Sequence, residues 1–245
     1  MDLISNDFFL ILITIVIFTV IQSIFGVGLL VFGTPTLILL GFSFYDTLSY
    51  LLPSSILVSL LQVYKNSNRI SLYRKIVFLY CLPMVIIGLF TIIYISKYNF
   101  NLLVSLMLIL MFIFRISENL RLRLEKFLSK NYKSGFLIMG LVHGFTNLGG
   151  AFLVIITNGL YKSKLDIQSN IAYVYMFMAL IQLLVLQLTG NLVVSGKILA
   201  FPIVSGFVFW NLGRFIFEKT SNKLYYNLMT FFILIYGLLL FFKEV

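Results

Sequence analysis

The sequence predicts an all-α polytopic membrane protein of two inverted-topology repeats, each a glycine-broken first segment (re-entrant or hairpin) plus three transmembrane helices. Three observations carry that expectation. The 245 residues are 61% apolar and 11% charged, with a mean hydropathy of +1.06, whereas an ordinary soluble domain carries about 25% charged residues. The apolar residues collect into eight segments. Glycine clusters interrupt the first and fifth of these, and matching landmarks recur roughly 120 residues apart.

In chain order the apolar segments cover residues 8–42, 46–64, 74–96, 99–115, 134–160, 166–189, 194–214 and 222–243. Six of them have the length of a helix crossing a hydrocarbon layer of about 30 Å. The first and fifth are too long, at about 50 Å and 40 Å if straight. The first contains Gly26, Gly28, Gly33 and Pro35, and the fifth contains Asn147, Gly149 and Gly150. Glycine weakens a helix and proline removes a backbone donor, so each segment is expected to break there, with Pro35 part of the first break. At membrane depth, irregular backbone survives only where protein buries it or a cavity adjoins it. Close helix packing through small residues is the competing reading of the same glycines.

The two breaks occupy matching places in two halves. Gly28 precedes Gly149 by 121 residues, Asp46 precedes Asp166 by 120, and Pro83 precedes Pro202 by 119. The halves are 1–116 and 134–245. Residues 117–133, with Arg121, Arg123, Lys126, Lys130 and Lys133, form a basic connector expected on the cytoplasmic side.

The net charge of +10, from 18 Lys and Arg against 8 Asp and Glu, is read as sidedness and not as an affinity for nucleic acid. If the fifth segment turns back on itself, 15 of the 18 bases fall on one face, leaving Lys97, Lys197 and Lys243 opposite. The positive-inside rule makes the 15-residue face cytoplasmic. A hairpin in the first segment as well gives six crossings, both termini outside, and halves of opposite orientation. Met1 to Asp7 carries two acids and no base, so it does not read as a cleaved signal peptide. One cysteine, Cys81, and one histidine, His143, are too few for a disulfide, a cysteine zinc site or a multi-histidine metal centre. No cofactor, catalytic metal or enzymatic motif is expected.

Inverted repeats with discontinuous helices are a transporter architecture, with cargo near the midplane where half-helices meet. Half-helices starting after Gly28 and Gly149 would present free N–H groups and a positive dipole end to a small anion. Gly26 and Gly150 would let it approach the backbone, and Asn147 would add an amide. His143 lies one turn before Asn147 and is either a substrate or proton-relay residue or a helix–helix hydrogen-bonding group. Asp46 and Asp166 either cap helices or hold a coupling proton or sodium ion.

The doubled motif, Gly26-Val-Gly28 with Pro35 and Asn147-Leu-Gly149-Gly150, resembles that of the sulfite exporter family of the TauE/SafE type. The resemblance runs over nearly the whole chain. It implies a multi-pass permease of a bacterial-type plasma or inner membrane that moves a small sulfur-containing anion such as sulfite, sulfoacetate or a sulfonate. The chain departs from that pattern at Leu29 and Leu30, where glycine is usual, and at Ile156, which stands where the first repeat has Pro35. The alternative from another class is a non-transporting membrane scaffold or assembly factor whose glycines pack helices. The partners expected are the anion, the bilayer and a coupling ion, with homo-oligomerisation left open.

Overall fold

A computed structural model describes residues 2–70, 74–94, 100–221, 231, 234–235, 238–239 and 242. The eighth apolar segment, with Lys223 and Lys243, lies almost wholly outside the described residues, and so does Lys97. Among the described residues all regular structure is helical: α1 (Asp2–Phe25), α2 (Leu29–Leu39), α3 (Phe44–Lys65), α4 (Arg74–Tyr94), α5 (Phe100–Ile116), α6 (Glu118–Lys130), α7 (Tyr132–Thr146), α8 (Gly149–Leu160), α9 (Lys164–Leu188) and α10 (Ala200–Lys219). Helices α4 and α10 each contain a π turn, at Val77–Cys81 and Phe209–Gly213. By length and composition α1, α3, α4, α9 and α10 are able to cross a bilayer, while α2 and α8 are short apolar helices.

Local chemistry sets the element ends. Helix α3 starts after Ser43, whose Oγ accepts from the Asp46 N–H at 3.1 Å and donates to the Asp46 carboxylate at 2.7 Å, a reciprocal N-terminal cap. Helix α1 stops where Gly26 takes φ +75°, a left-handed turn that a side chain would resist. Helix α7 stops at Asn147, φ 62°, whose N–H still bonds the His143 carbonyl at 2.8 Å. Asparagine is the non-glycine residue best suited to that left-handed cap. The first long apolar segment is thus divided into α1 and α2, and the fifth into α7 and α8.

The core is built on α3 and α9, each 56% buried over its apolar window, against 33% for α4 and 28% for α10. These two central helices run antiparallel. At one end Arg69, just past α3, pairs with Asp166 at the start of α9 at 3.3 Å. At the other end Ser49, early in α3, accepts from the N–H of Val193, just past α9, at 3.0 Å. The halves interlock around this pair. Helix α4 packs on α7 and α9, and α10 packs on α1 and α3. The α4–α7 contact is close: a Cβ on Gly144 would meet the Val85 carbonyl at 2.4 Å, and one on Gly140 the Cys81 carbonyl at 2.3 Å. That is the small-residue packing expected between membrane helices.

Among the described residues most of the bases gather at one end, with Lys197 beyond α9 at the other. Lys133 lies over the Tyr80 ring, Arg74 over Tyr173, and Lys164 reaches the carbonyls of Phe217 and Thr220. Both ends of the α7–α8 hairpin therefore return to the end that carries Arg69, Arg74 and Arg214. Phe8 stacks on Phe201, Tyr50 meets Phe201 edge-on and Phe42 meets Tyr50 edge-on, so both ends of the α1–α2 hairpin meet at the opposite end.

Candidate functional site

Breaking a helix inside an apolar core strands backbone groups, and the first break satisfies them with glutamine amides. The carbonyls at the end of α1 receive two donors. Gln62 Nε2 of α3 reaches the carbonyls of Gln22 and Ser23 at 2.9 and 3.2 Å, and Gln168 Nε2 of α9 reaches those of Ser23 and Ile24 at 2.6 and 3.3 Å. On the other side of the break, the Leu29 N–H that opens α2 donates to Gln22 Oε1 at 3.2 Å. The Gln22 amide nitrogen in turn donates to the Ser55 carbonyl at 3.0 Å and to Ser59 Oγ at 3.1 Å.

The second break repeats this construction about 120 residues later. A Cβ on Gly28 would land 2.5 Å from the Gln22 nitrogen and 2.9 Å from the Phe18 carbonyl. A Cβ on Gly149 would land 2.4 Å from His143 Cβ and 2.8 Å from the Met139 carbonyl. Each glycine thus closes its hairpin on the residues six and ten positions earlier, which makes His143 the counterpart of Gln22. Gln182 Nε2 reaches the His143 carbonyl at 3.4 Å, as Gln62 reaches that of Gln22. Tyr175, 120 residues after Ser55, sits against the imidazole with ring centroids 5.8 Å apart.

The two breaks meet in the core. Gly150, in the first turn of α8, faces Tyr175, Val31 and Val27, and a Cβ there would lie 2.8 to 3.0 Å from their side chains. Asn147 Nδ2 donates to Thr34 Oγ1 of α2 at 2.7 Å. The Tyr175 hydroxyl stands beside the backbone N–H groups of Leu30 and Val31, in the first turn of α2. Around this junction five buried side-chain atoms fall short of ordinary hydrogen-bond geometry: Tyr175 Oη beside the Leu30 and Val31 N–H groups, both ring nitrogens of His143, the Gln182 Oε1 of the side chain that faces the imidazole, and Asn147 Oδ1. A polar atom buried without a hydrogen bond costs about 1–3 kcal/mol, so a core that gathers five is arranged for something more than packing. No carboxylate, Lys or Arg belongs to the cluster. Its polarity comes from amides, a phenol, an imidazole and two helix N-termini, a neutral setting in which the dipole ends favour negative charge.

The structure brings Gly26, Gly28, His143, Asn147, Gly149 and Gly150 together at these two breaks, all of them buried. Within that group it divides the work. Gly28 and Gly149 press against their own hairpins, and Gly26 against Ile171 of α9, where a Cβ would come within 2.7 Å. Gly150 alone faces the junction. Pro35 needs correction: it lies inside α2, which continues to Leu39. Its fixed φ is helical, so only a carbonyl partner is lost there, whereas the reversal requires the positive φ of Gly26. Asp46 belongs to the cap of α3 and Asp166 to the ion pair with Arg69. The antiparallel α3 and α9 put them at opposite ends of the bundle, away from the junction.

Sequence reasoning passed over Tyr175, Gln22, Gln62, Gln168 and Gln182. One signal was present: Gln62 and Gln182 lie 120 residues apart in otherwise apolar stretches. Among the described residues no group of three or more His, Cys, Asp or Glu is placed to hold a metal ion.

Compared with known proteins, residues 10–240 match the family model described as Sulfite exporter TauE/SafE. No curated protein and no solved structure matches the chain.

Proposed function

The chain belongs to the sulfite exporter TauE/SafE family, a family of membrane transporters, and from that premise we propose that it is a secondary permease for a small sulfur-containing oxyanion. Sulfite, sulfoacetate and simple sulfonates are the cargo class. The observation that carries the reading is the cluster of buried polar atoms short of ordinary hydrogen bonds where the first turns of α2 and α8 meet. Helix N-termini in a medium of low dielectric attract an oxyanion without a full positive charge. The Tyr175 hydroxyl and one imidazole N–H of His143 are donors for the cargo, with Gly150 leaving room beside them. The acceptor atoms of Asn147 and Gln182 orient those donors or accept from a protonated cargo oxygen.

The inverted repeat is part of this proposal. It is supported by the antiparallel course of α3 and α9 and by the contacts that recur 120–121 residues apart. Rocking one half against the other about the junction would expose the site alternately to the two faces. The clustering of bases at one end supports a cytoplasmic assignment for that end and, with two hairpins, termini outside.

Proteoliposomes holding the purified protein test the reading. Labelled sulfite or methanesulfonate should equilibrate across them faster than across protein-free vesicles under the same gradient. Rates equal to those of empty vesicles for every anion tried would favour the scaffold reading, in which the glycines serve packing alone.

A further inference from the structure

The connector between the halves is a helix in its own right. Helix α6 is set off from α5 by Ser117, which is extended and whose Oγ accepts from the Leu120 N–H at 3.4 Å, and from α7 by Asn131, whose amide donates to the Phe127 carbonyl at 3.2 Å. Six of its 13 residues are charged, so it does not cross a hydrocarbon layer. It packs instead on α8 and α7. A Cβ on Gly135 of α7 would lie 3.0 Å from Leu128 Cδ2 and 3.5 Å from Ile156 Cδ1 of α8. Leu128 is buried against both arms of the second hairpin, near their open ends, and this fixes α6 at the basic end of the bundle.

Helical register divides the rest of α6. Leu120, Arg123, Phe127 and Lys130, spaced three and four apart, share one face, which adjoins the packed flank of Leu124 and Leu128. All four are exposed. Glu118 and Glu125, seven apart, fall on the opposite side of the register, so the exposed face alternates apolar and basic residues and carries no acid. Of the five apolar residues of α6, only Leu122 lies off this arc. An apolar face edged by cations is the pattern of a helix lying in a membrane interface, with its apolar side chains beside the acyl chains and its bases snorkelling to headgroup phosphates. The surroundings favour lipid over a soluble acidic partner. Helix α6 starts two residues past Ile116, which ends the apolar α5 with its side chain exposed, so it begins where apolar surface gives way to the gathered bases.

We propose that α6 is an in-plane interfacial helix that holds anionic phospholipid headgroups of the leaflet on the basic face, with Leu120 and Phe127 in the headgroup–acyl boundary and Arg123 and Lys130 on the phosphates. Binding there is independent of the junction and of any cargo. Phe127 and Leu122 are almost equally exposed, at 52% and 50%, so only the seating of α6 on a bilayer separates them. The full-length protein in mixed phosphatidylcholine and phosphatidylglycerol vesicles, spin-labelled at Phe127→Cys or Leu122→Cys in a Cys81→Ala background, tests that seating. Oxygen dissolved in the bilayer should reach the Phe127 label more readily, and a water-soluble nickel chelate the Leu122 label. In native mass spectrometry of the unlabelled protein, phosphatidylglycerol should bind about tenfold more tightly than phosphatidylcholine of the same acyl chains. Arg123→Gln combined with Lys130→Gln should reduce that preference to about twofold or less, whereas Lys197→Gln, at the other end, should leave it unchanged. Equal binding of the two lipids, a preference that survives the double variant, or a Phe127 label as open to the chelate as the Leu122 label would overturn the proposal. A Phe127 label shielded from the chelate only when polyglutamate is added would also overturn it, by making the face a docking surface for a soluble acidic partner.

Discussion

Single residues at the junction carry conflicts that packing alone would remove. Asn147 is the clearest, because its backbone and its side chain do different work: a left-handed cap at φ 62° and an amide bond to Thr34 at 2.7 Å. The two are separable. Asn147→Gly keeps the conformation and deletes the amide. Asn147→Ala deletes the amide and forces a Cβ into left-handed backbone, at a cost of about 1 kcal/mol or more. The glycine variant should therefore melt closer to the unmodified protein than the alanine variant, with transport reduced in both, as thermal unfolding in detergent and vesicle flux would show. Equal melting of the two would mean the cap contributes nothing. The glycines, Asn147 and His143 were legible in the sequence because they are rare chemistry in apolar runs. Tyr175 was not, since it is one of 14 tyrosines and reads as an interface anchor. Its burial at 0% exposure and its place between the His143 ring and the first turn of α2 are facts of tertiary packing.

Among the helices, the breaks are stable because other elements supply the missing partners. Gln62 and Gln168, from α3 and α9, meet carbonyls that α1 leaves open, and Gln22 turns across its own hairpin to meet the first amide of α2. Gln168→Leu strands the Ile24 carbonyl, whereas the Ser23 carbonyl keeps Gln62 and the Gln22 carbonyl keeps both Gln62 and the Gly26 N–H. We expect a loss of about 1–3 kcal/mol from one stranded buried acceptor, measurable as a lower denaturation midpoint of the purified protein. An unchanged midpoint would show that the broken end is satisfied otherwise. Periodicity and glycine content located both breaks, but not their edges. Pro35 reads as a stop and is tolerated inside α2, because a proline's φ suits a helix even as its missing N–H weakens one. The direction of the Gln62 amide was beyond the sequence, because it depends on which carbonyls a folded neighbour presents.

For the molecule as a whole, the charge pattern proved more informative about arrangement than about ligand. The expectation that residues 65–75, the connector, 162–164 and 214–219 share one face agrees with the contacts among Arg69, Asp166, Lys133, Lys164 and Phe217. The interlocking of α4 with α7, and of α10 with α1 and α3, was not readable, since an apolar segment does not announce its neighbours. Cysteine labelling in a Cys81→Ala background tests the sidedness. Ser67→Cys and Ser163→Cys should react only from the cytoplasmic face. Gly196→Cys, where a side chain meets nothing within 4 Å, should react only from outside. Reaction of Ser67→Cys and Ser163→Cys from opposite faces would remove the α7–α8 hairpin from the topology.

The junction as the cargo site is most directly tested by Tyr175→Phe in reconstituted vesicles. The substitution keeps the buried ring and removes one oxygen that makes no hydrogen bond of ordinary geometry with the protein, so the protein should fold and melt close to the unmodified temperature. Sulfite or sulfonate flux should fall about tenfold or more, the loss of one hydrogen bond to a charged group. Flux equal to that of the unmodified protein, from a variant equally well folded, would contradict the placement of the cargo where α2 and α8 meet.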